Sequence, residues 1–251
     1  KLMPWLLSLT ETRQVLAPVQ AGGQTLFAPL TADSQLDLNG LADASAKAAL
    51  LPRCETLFEF HYSKSEGIPS KTELEVRETL PDQETFLFGA RPCDAKGFTV
   101  FDRVYDGGTR RDIYYCTRRD KTIVATLACT DPADTCFCNR VGGGPGDTDG
   151  SDILFTPVDG GYVIEPVTER GEALLAEQPL VEAEDRKEEA RKVREKVAEA
   201  MPDEGSLGGA KGEVLELFDD KEFWGDVTAK CLSCGACSYL CPTCYCFNMT
   251  D

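Results

Sequence analysis

Histidine is almost missing from this chain, with one among 251 residues, and that scarcity removes multi-histidine metal centres at the outset. The single one, His61, reads as a surface or satisfied residue and is given no role. Long apolar runs are missing as well: no stretch reaches the ~18 residues that a membrane span needs, so none is expected. Positive charge is short, with 26 Lys and Arg against 43 Asp and Glu, a net charge of −17 and a pI near 4.5. Such a surface repels nucleic acid and anionic lipid, so no nucleic-acid partner is expected. The opening Lys1-Leu-Met-Pro-Trp-Leu-Leu is too short and too weakly basic for a secretory signal, and the lack of an initiator Met points to residues ahead of Lys1. There is no nucleophile elbow, no paired-carboxylate arrangement, no P-loop lysine and no G-x-G-x-x-G pattern. The glycine-rich run from Gly142 to Gly150 therefore reads as a connector.

What the chain does have is cysteine, twelve in all. They fall in short-spaced groups beside Pro and Gly, unlike the even studding of a secreted disulfide scaffold, and this suits metal binding in a reducing compartment, the cytoplasm. The strongest group is Cys231-Leu-Ser-Cys234-Gly-Ala-Cys237-Ser-Tyr-Leu-Cys241-Pro242, which matches the C-x₂-C-x₂-C-x₃-C-P ligand run of a bacterial-type [4Fe–4S] ferredoxin. Gly235 lets the loop curl without a Cβ clash. A zinc ribbon would use two separated C-x₂-C pairs instead. In two-cluster ferredoxins the last Cys of such a run serves the other cluster, and no second run follows here. Either the chain continues beyond Asp251, or Cys241, Cys244 or Cys246 closes the cluster locally.

The remaining sequence has the pattern of an α/β domain with a short parallel or mixed sheet. Leu6 to Leu16 has helical spacing, Thr25 to Leu30 is a strand ended by Pro29, Ala42 to Leu51 is a short helix stopped by Pro52, and Leu57 to Phe60 is a strand. Thr85 to Ala90 and Thr122 to Ala128 are near-continuous apolar strands, with a helix from Ala95 to Val104 between them and Asp94 as its N-cap. Asp152 to Pro166 is a hairpin about Gly160-Gly161, and Val181 to Ala200 is an exposed charged helix. Three parts result: an α/β domain over 1–200, a Pro- and Gly-bearing linker over 201–212, and a ferredoxin-like segment over 213–251 that opens with a helix from Glu213 to about Ala229.

A parallel βαβ unit places sites at the carboxyl ends of its strands, which brings together Cys93 and Cys129. With Cys136 and Cys138, whose C-x-C spacing in extended backbone sends both thiols to one side, they make a second four-cysteine candidate. Four packed, inert thiols are the alternative. Arg91 and Arg140 stand where they would offset a cluster's negative charge and raise its potential, or form ordinary salt bridges. Cys54 and Cys116 stand alone and read as structural. A cluster with every corner taken by Cys leaves no open position for substrate and moves single electrons.

These motifs also resemble a family. Phe88-Gly-Ala-Arg-Pro-Cys-Asp, the run from Cys129 through Cys136-Phe-Cys138, and Cys231 to Cys237 with Cys241-Pro-Thr-Cys-Tyr-Cys246 are similar to the iron–sulfur beta subunit of cytoplasmic sulfhydrogenases. The same family takes in an iron–sulfur component of anaerobic sulfite reductase and components of flavin-containing, heterodisulfide-reductase-linked complexes of anaerobic metabolism. The resemblance extends to Phe27-Ala-Pro-Leu, Leu51-Pro and Leu57-Phe-Glu-Phe. It implies at least two [4Fe–4S] clusters, one of them on Cys93, Cys129, Cys136 and Cys138. It further implies a relay role in a hetero-oligomer, between a flavin subunit handling NAD(P)H and a subunit carrying the catalytic metal. The chain departs from the family by lacking a second ferredoxin run and by carrying Cys116. Two rivals remain: reduction of a sulfur compound at an open iron, with Cys244 or Cys246 as a substrate-side thiol, and a colourless zinc-binding assembly protein.

Overall fold

Short apolar runs in the middle of the sequence become the inner strands of a six-stranded mixed sheet. The computed structural model describes residues 2–64, 72–178, 180–181, 184–202, 205–246 and 249–250. Helix α1 (Leu2–Leu9) leads into the hairpin β1 (Gln14–Ala21) and β2 (Gln24–Pro29). A 3₁₀ turn over Ala46–Ala49 precedes β3 (Phe58–Lys64) and β4 (Thr72–Glu78), which among the described residues pair only with each other. Strand β5 (Thr85–Ala90) feeds α2 (Pro92–Tyr105) and α3 (Ile113–Lys121), after which the chain returns as β6 (Thr122–Leu127). Strands β7 (Ile153–Val158) and β8 (Gly161–Pro166) form the expected hairpin, followed by α4 (Glu169–Ala176) and α5 (Lys187–Ala200). The order is β2-β1-β5-β6-β7-β8, with β1, β5, β6 and β7 parallel and an antiparallel strand at either edge.

Alternation along the strands divides the core into two layers. Phe86, Phe88, Ala125 and Leu127 face α1 and α4 residues such as Leu6 and Leu174. Leu87 and Val124 face the other way, onto Phe98 and Phe101 of α2 and Tyr115 of α3. Every residue of β5 is buried, as an inner strand of a covered sheet must be. Gly89, at φ +79, sits at a register shift near the end of β5, and a Cβ there would meet the Pro18 ring at 2.9 Å. That bulge lies directly before Arg91-Pro92-Cys93 and re-aims the chain into α2.

Several expected boundaries are corrected. The helical spacing over Leu6–Leu16 is overridden after Leu9, because Gln14–Ala21 finds strand partners on both sides in β2 and β5. Of Ala42–Leu51 only the 3₁₀ turn is helical, capped by Ser45. Helix α2 starts at Pro92 with Arg91 as N-cap, since Pro fits the first helical turn, and Asp94 stands inside the helix and accepts from the Arg91 N–H at 3.3 Å. The charged helix begins at Lys187 after a 3₁₀ turn over Glu184–Arg186, and positions 182–183 of the expected span lie outside the described residues. The single helix over 213–229 is two helices, α6 (Ala210–Glu216) and α7 (Lys221–Thr228), because Asp220 caps a new start by accepting from the Glu222 and Phe223 amides. Helix α6 therefore takes up the last residues of the expected linker. A short α8 (Ala236–Leu240) follows.

Candidate functional site

Helix α2 carries Cys93 of one cysteine group and is met by the chain just after the other. Cys93 lies in its first turn, past the carboxyl end of β5, and Cys129 lies past the end of the neighbouring β6. The Cys129 amide donates to the Pro145 carbonyl at 2.9 Å. Cys136 is held in a turn, its amide donating to the Ala133 carbonyl at 2.9 Å while its sulfur accepts from the Ala133 N–H at 3.3 Å. Cys138 opens a 3₁₀ turn over Cys138–Val141. The two are thus not aligned by strand alternation: Phe137 has φ −140 and ψ 15, so turns rather than extended backbone set their directions.

The four thiols feel one another. Burial pushes Cys93 up to about 12, with the charges of Asp94, Cys129, Cys138 and Cys136 adding to it. Burial likewise takes Cys129 to about 11 against the pull of Arg91, and Cys138 is raised by burial and by Cys136. By surface exposure Cys93 is open to solvent and Cys129, Cys136 and Cys138 are half-buried, and thiols raised as Cys93, Cys129 and Cys138 are give up their protons most readily to a metal. A single zinc ion needs its sulfurs only ~3.7 Å apart, from Zn–S bonds of about 2.3 Å. Among the described residues no three Cys, His, Asp or Glu side chains close on one point in that way.

Arg91 braces this corner. Its buried guanidinium donates to the Leu127, Ala128 and Leu38 carbonyls at 3.5, 3.3 and 2.8 Å and also to that of Gly40, tying the end of β5 to the end of β6 beside Cys129. On α2, Lys96 donates to the Gly142 carbonyl at 2.9 Å and to Asp147 and Asp149 at 2.8 and 2.9 Å, fastening the glycine-rich connector next to Cys138. The connector's role is therefore to clamp. Arg140, beside Cys138, donates to the Gly205 carbonyl at 3.1 Å.

The terminal run reaches the same helix. Cys231 follows α7, and its sulfur accepts from the Ser233 N–H at 3.4 Å. The chain turns through left-handed Ser233 and Gly235 into α8, which carries Cys237. Cys231, Cys234, Cys237 and Cys241 are all exposed. Lys47 donates to the carbonyls of Ser238, Cys241 and Cys244 at 2.8, 2.8 and 3.3 Å, taking up carbonyls at the end of α8. Pro242 packs on Gly97 so closely that a Cβ there would lie 3.0 Å from the Pro242 oxygen. Tyr105 donates to the Tyr245 carbonyl at 2.8 Å. Gly97 is one helical turn, about 6 Å, beyond Cys93 on the same face. The end of the terminal run, at Pro242 and Tyr245, therefore packs on the helix that carries Cys93.

Within the run Cys241 is distinct. Its partial burial pushes the thiol up, but hydrogen bonds from the Thr243 hydroxyl and the Thr243 and Cys244 amides, with Lys47 nearby, hold it below the usual thiol range. Cys244 and Cys246 lie close enough to Tyr105 for their charge to bear on its phenol. Cys116 is buried and donates to the Tyr105 carbonyl at 3.7 Å, the structural role expected. Cys54 is exposed, so core packing does not account for it. Lys47, Lys96, Gly97 and Tyr105 carried no sequence signal, because each acts through contacts far away along the chain.

No protein-family model matches the chain, and no solved structure matches it. A curated relative is sulfhydrogenase 2 subunit beta of Pyrococcus furiosus, 29% identical over 180 residues that make up 70% of this chain. The chain is similar to that beta subunit. It spans about half the relative's length, 53%. The name agrees with the resemblance carried by the Cys93, Cys129–Cys138 and Cys231–Cys246 motifs. No helix among the described residues is long and apolar enough to cross a membrane.

Proposed function

We propose that this chain is an iron–sulfur electron-transfer subunit of a cytoplasmic oxidoreductase complex, relaying single electrons between flavin/NAD(P)H-type and catalytic metal subunits. The supporting observation is that a cysteine run with ferredoxin ligand spacing ends, at Pro242, against α2, the helix that carries Cys93 of the second group. Cys93, Cys129, Cys136 and Cys138 would hold one [4Fe–4S] group, and Cys231, Cys234 and Cys237 three corners of a second. We assign the fourth corner to Cys241, whose hydrogen bonds favour the thiolate a metal needs. Such a group supplies one reversible electron and, with four Cys corners, no site for substrate.

The chain's own residues do the rest. Arg91 holds a fixed positive charge beside Cys129, Lys96 clamps the connector over Cys138, and Lys47 and Gly97 seat the terminal run against α2. The sulfhydrogenase name of the relative supports a place in a multi-subunit complex. Freeze-quenched EPR on the anaerobic complex tests the reading. Reduced iron–sulfur signals should rise and decay within turnover and ignore added sulfite or cyanide. Cys234→Ser should slow electron passage at least ~100-fold while the subunits stay together, since a lost station breaks the path. A signal that shifts on adding sulfite would mean an open iron and a substrate site.

A further inference from the structure

The loop that carries Cys136 and Cys138 also holds a second stretch of chain. Between β6 and β7 the 3₁₀ turn over Cys138–Val141 is its only regular element among the described residues. Three hydrogen bonds join that turn to the linker between α5 and α6. The Asn139 side chain donates to the Pro202 carbonyl at 2.9 Å, Arg140 Nε to the Gly205 carbonyl at 3.1 Å, and the Leu207 amide to the Arg140 carbonyl at 2.8 Å. Donors lie on both sides, so turn and linker clasp each other.

Asn139 reaches both ways: its amide hydrogen-bonds the Cys138 sulfur while its side chain holds Pro202. The Cys138 carbonyl in turn accepts from the Gly142 amide and, at 2.8 Å, from the Gly143 amide. A loop without strand or long helix is fixed mainly by what it binds, and a group held by Cys136 and Cys138 would pin this one beside the clasp. The linker then opens into α6 at Ala210, and neither α6 nor α7 contains a buried residue. No core anchors that segment. Its far end is held by Lys47 and by Pro242 on Gly97, and its near end by the clasp.

We propose that Asn139 and Arg140 are positioning residues that couple the two cysteine groups. Filling the inner group of Cys93, Cys129, Cys136 and Cys138 fixes the Cys138 turn, and the turn fixes the linker that delivers the terminal run. The proposal rests on the iron–sulfur reading of the inner group. Such coupling needs a contact that is firm in one state and loose in the other, and hydrogen bonds mounted on a ligand-bearing turn supply it.

Amide hydrogen exchange on the anaerobically isolated complex tests it, with iron and acid-labile sulfide counted in every sample. Cys93→Ala empties the inner group without touching the linker. Amides over 205–216 should then exchange roughly 10-fold faster than in the loaded wild type, while β1 and β2 keep their protection. Asn139→Ala with Arg140→Ala should accelerate the same amides as much, with the iron count of the wild type. Adding Cys93→Ala to that pair should change linker exchange no further, the non-additivity of a shared link. Arg140→Lys alone, which keeps a donor, should stay near the wild type. Unchanged linker exchange in an iron-depleted Cys93→Ala chain overturns the proposal and leaves the relay reading intact, as does full additivity in the triple variant. A wild type without iron, or an iron count that ignores Cys93→Ala, sinks the relay reading and the coupling together.

Discussion

At the scale of single residues, the decisive group is Arg91. It is 7% exposed, and the four hydrogen bonds of its guanidinium all go to neutral carbonyls. A buried cation of this kind is costly unless a negative charge shares its environment. Asp94 is a weak answer, since its own burial raises its pKa toward the neutral form. A net-negative cluster on Cys129 would be a better one. Replacing Arg91→Gln should lower the midpoint potential of the Cys93-group cluster by on the order of 50–100 mV, for a unit charge several ångströms away at an effective permittivity of ~20. Arg91→Lys should restore most of it. EPR-monitored redox titration of the two variants checks this, and equal potentials in all three proteins would reduce Arg91 to a brace for Leu38 and Gly40.

At the scale of elements, the terminal run is fixed by contacts rather than by a core, because α6, α7 and α8 contain no buried residue. Lys47 is the main tether. Lys47→Met removes one charged donor from three carbonyls, a loss of roughly 1–3 kcal/mol. Amide hydrogen exchange over Ser238–Cys246 should then accelerate about 10-fold or more, as loss of local stability of that size requires, while β5 and β6 keep their protection. Equal exchange in wild type and variant would mean that Pro242 on Gly97 and Tyr245 at Tyr105 suffice. Legibility in the sequence follows the same divide. Strands β5 and β6 were readable because burial on both faces leaves unbroken apolar runs, and their ends gave Cys93 and Cys129. Helix α3, Ile-Tyr-Tyr-Cys-Thr-Arg-Arg-Asp-Lys, was not readable, since only Tyr115 and Cys116 are buried and the rest has no apolar period. Strand β4 was missed because its Glu and Arg alternate with Leu and Val in a stretch that reads simply as polar. Lys47 was invisible, as its partners lie more than 190 residues away.

At the scale of the whole molecule, this is a mixed α/β body with Cys93 and Cys129 just past the ends of its inner strands and a second cysteine run whose end is laid against α2 from outside. The inner group depends on β5, α2 and β6 being correctly assembled, whereas the outer run is local in sequence. In the relay reading both groups hold iron and sulfide. Iron, zinc and acid-labile sulfide should therefore be counted per chain in anaerobically isolated wild type and in Cys93→Ala. The wild type should hold about eight irons and eight sulfides, falling to about four of each in a variant that keeps its circular dichroism, as two [4Fe–4S] groups require. An iron count that does not respond to Cys93→Ala, or zinc without sulfide, would contradict it.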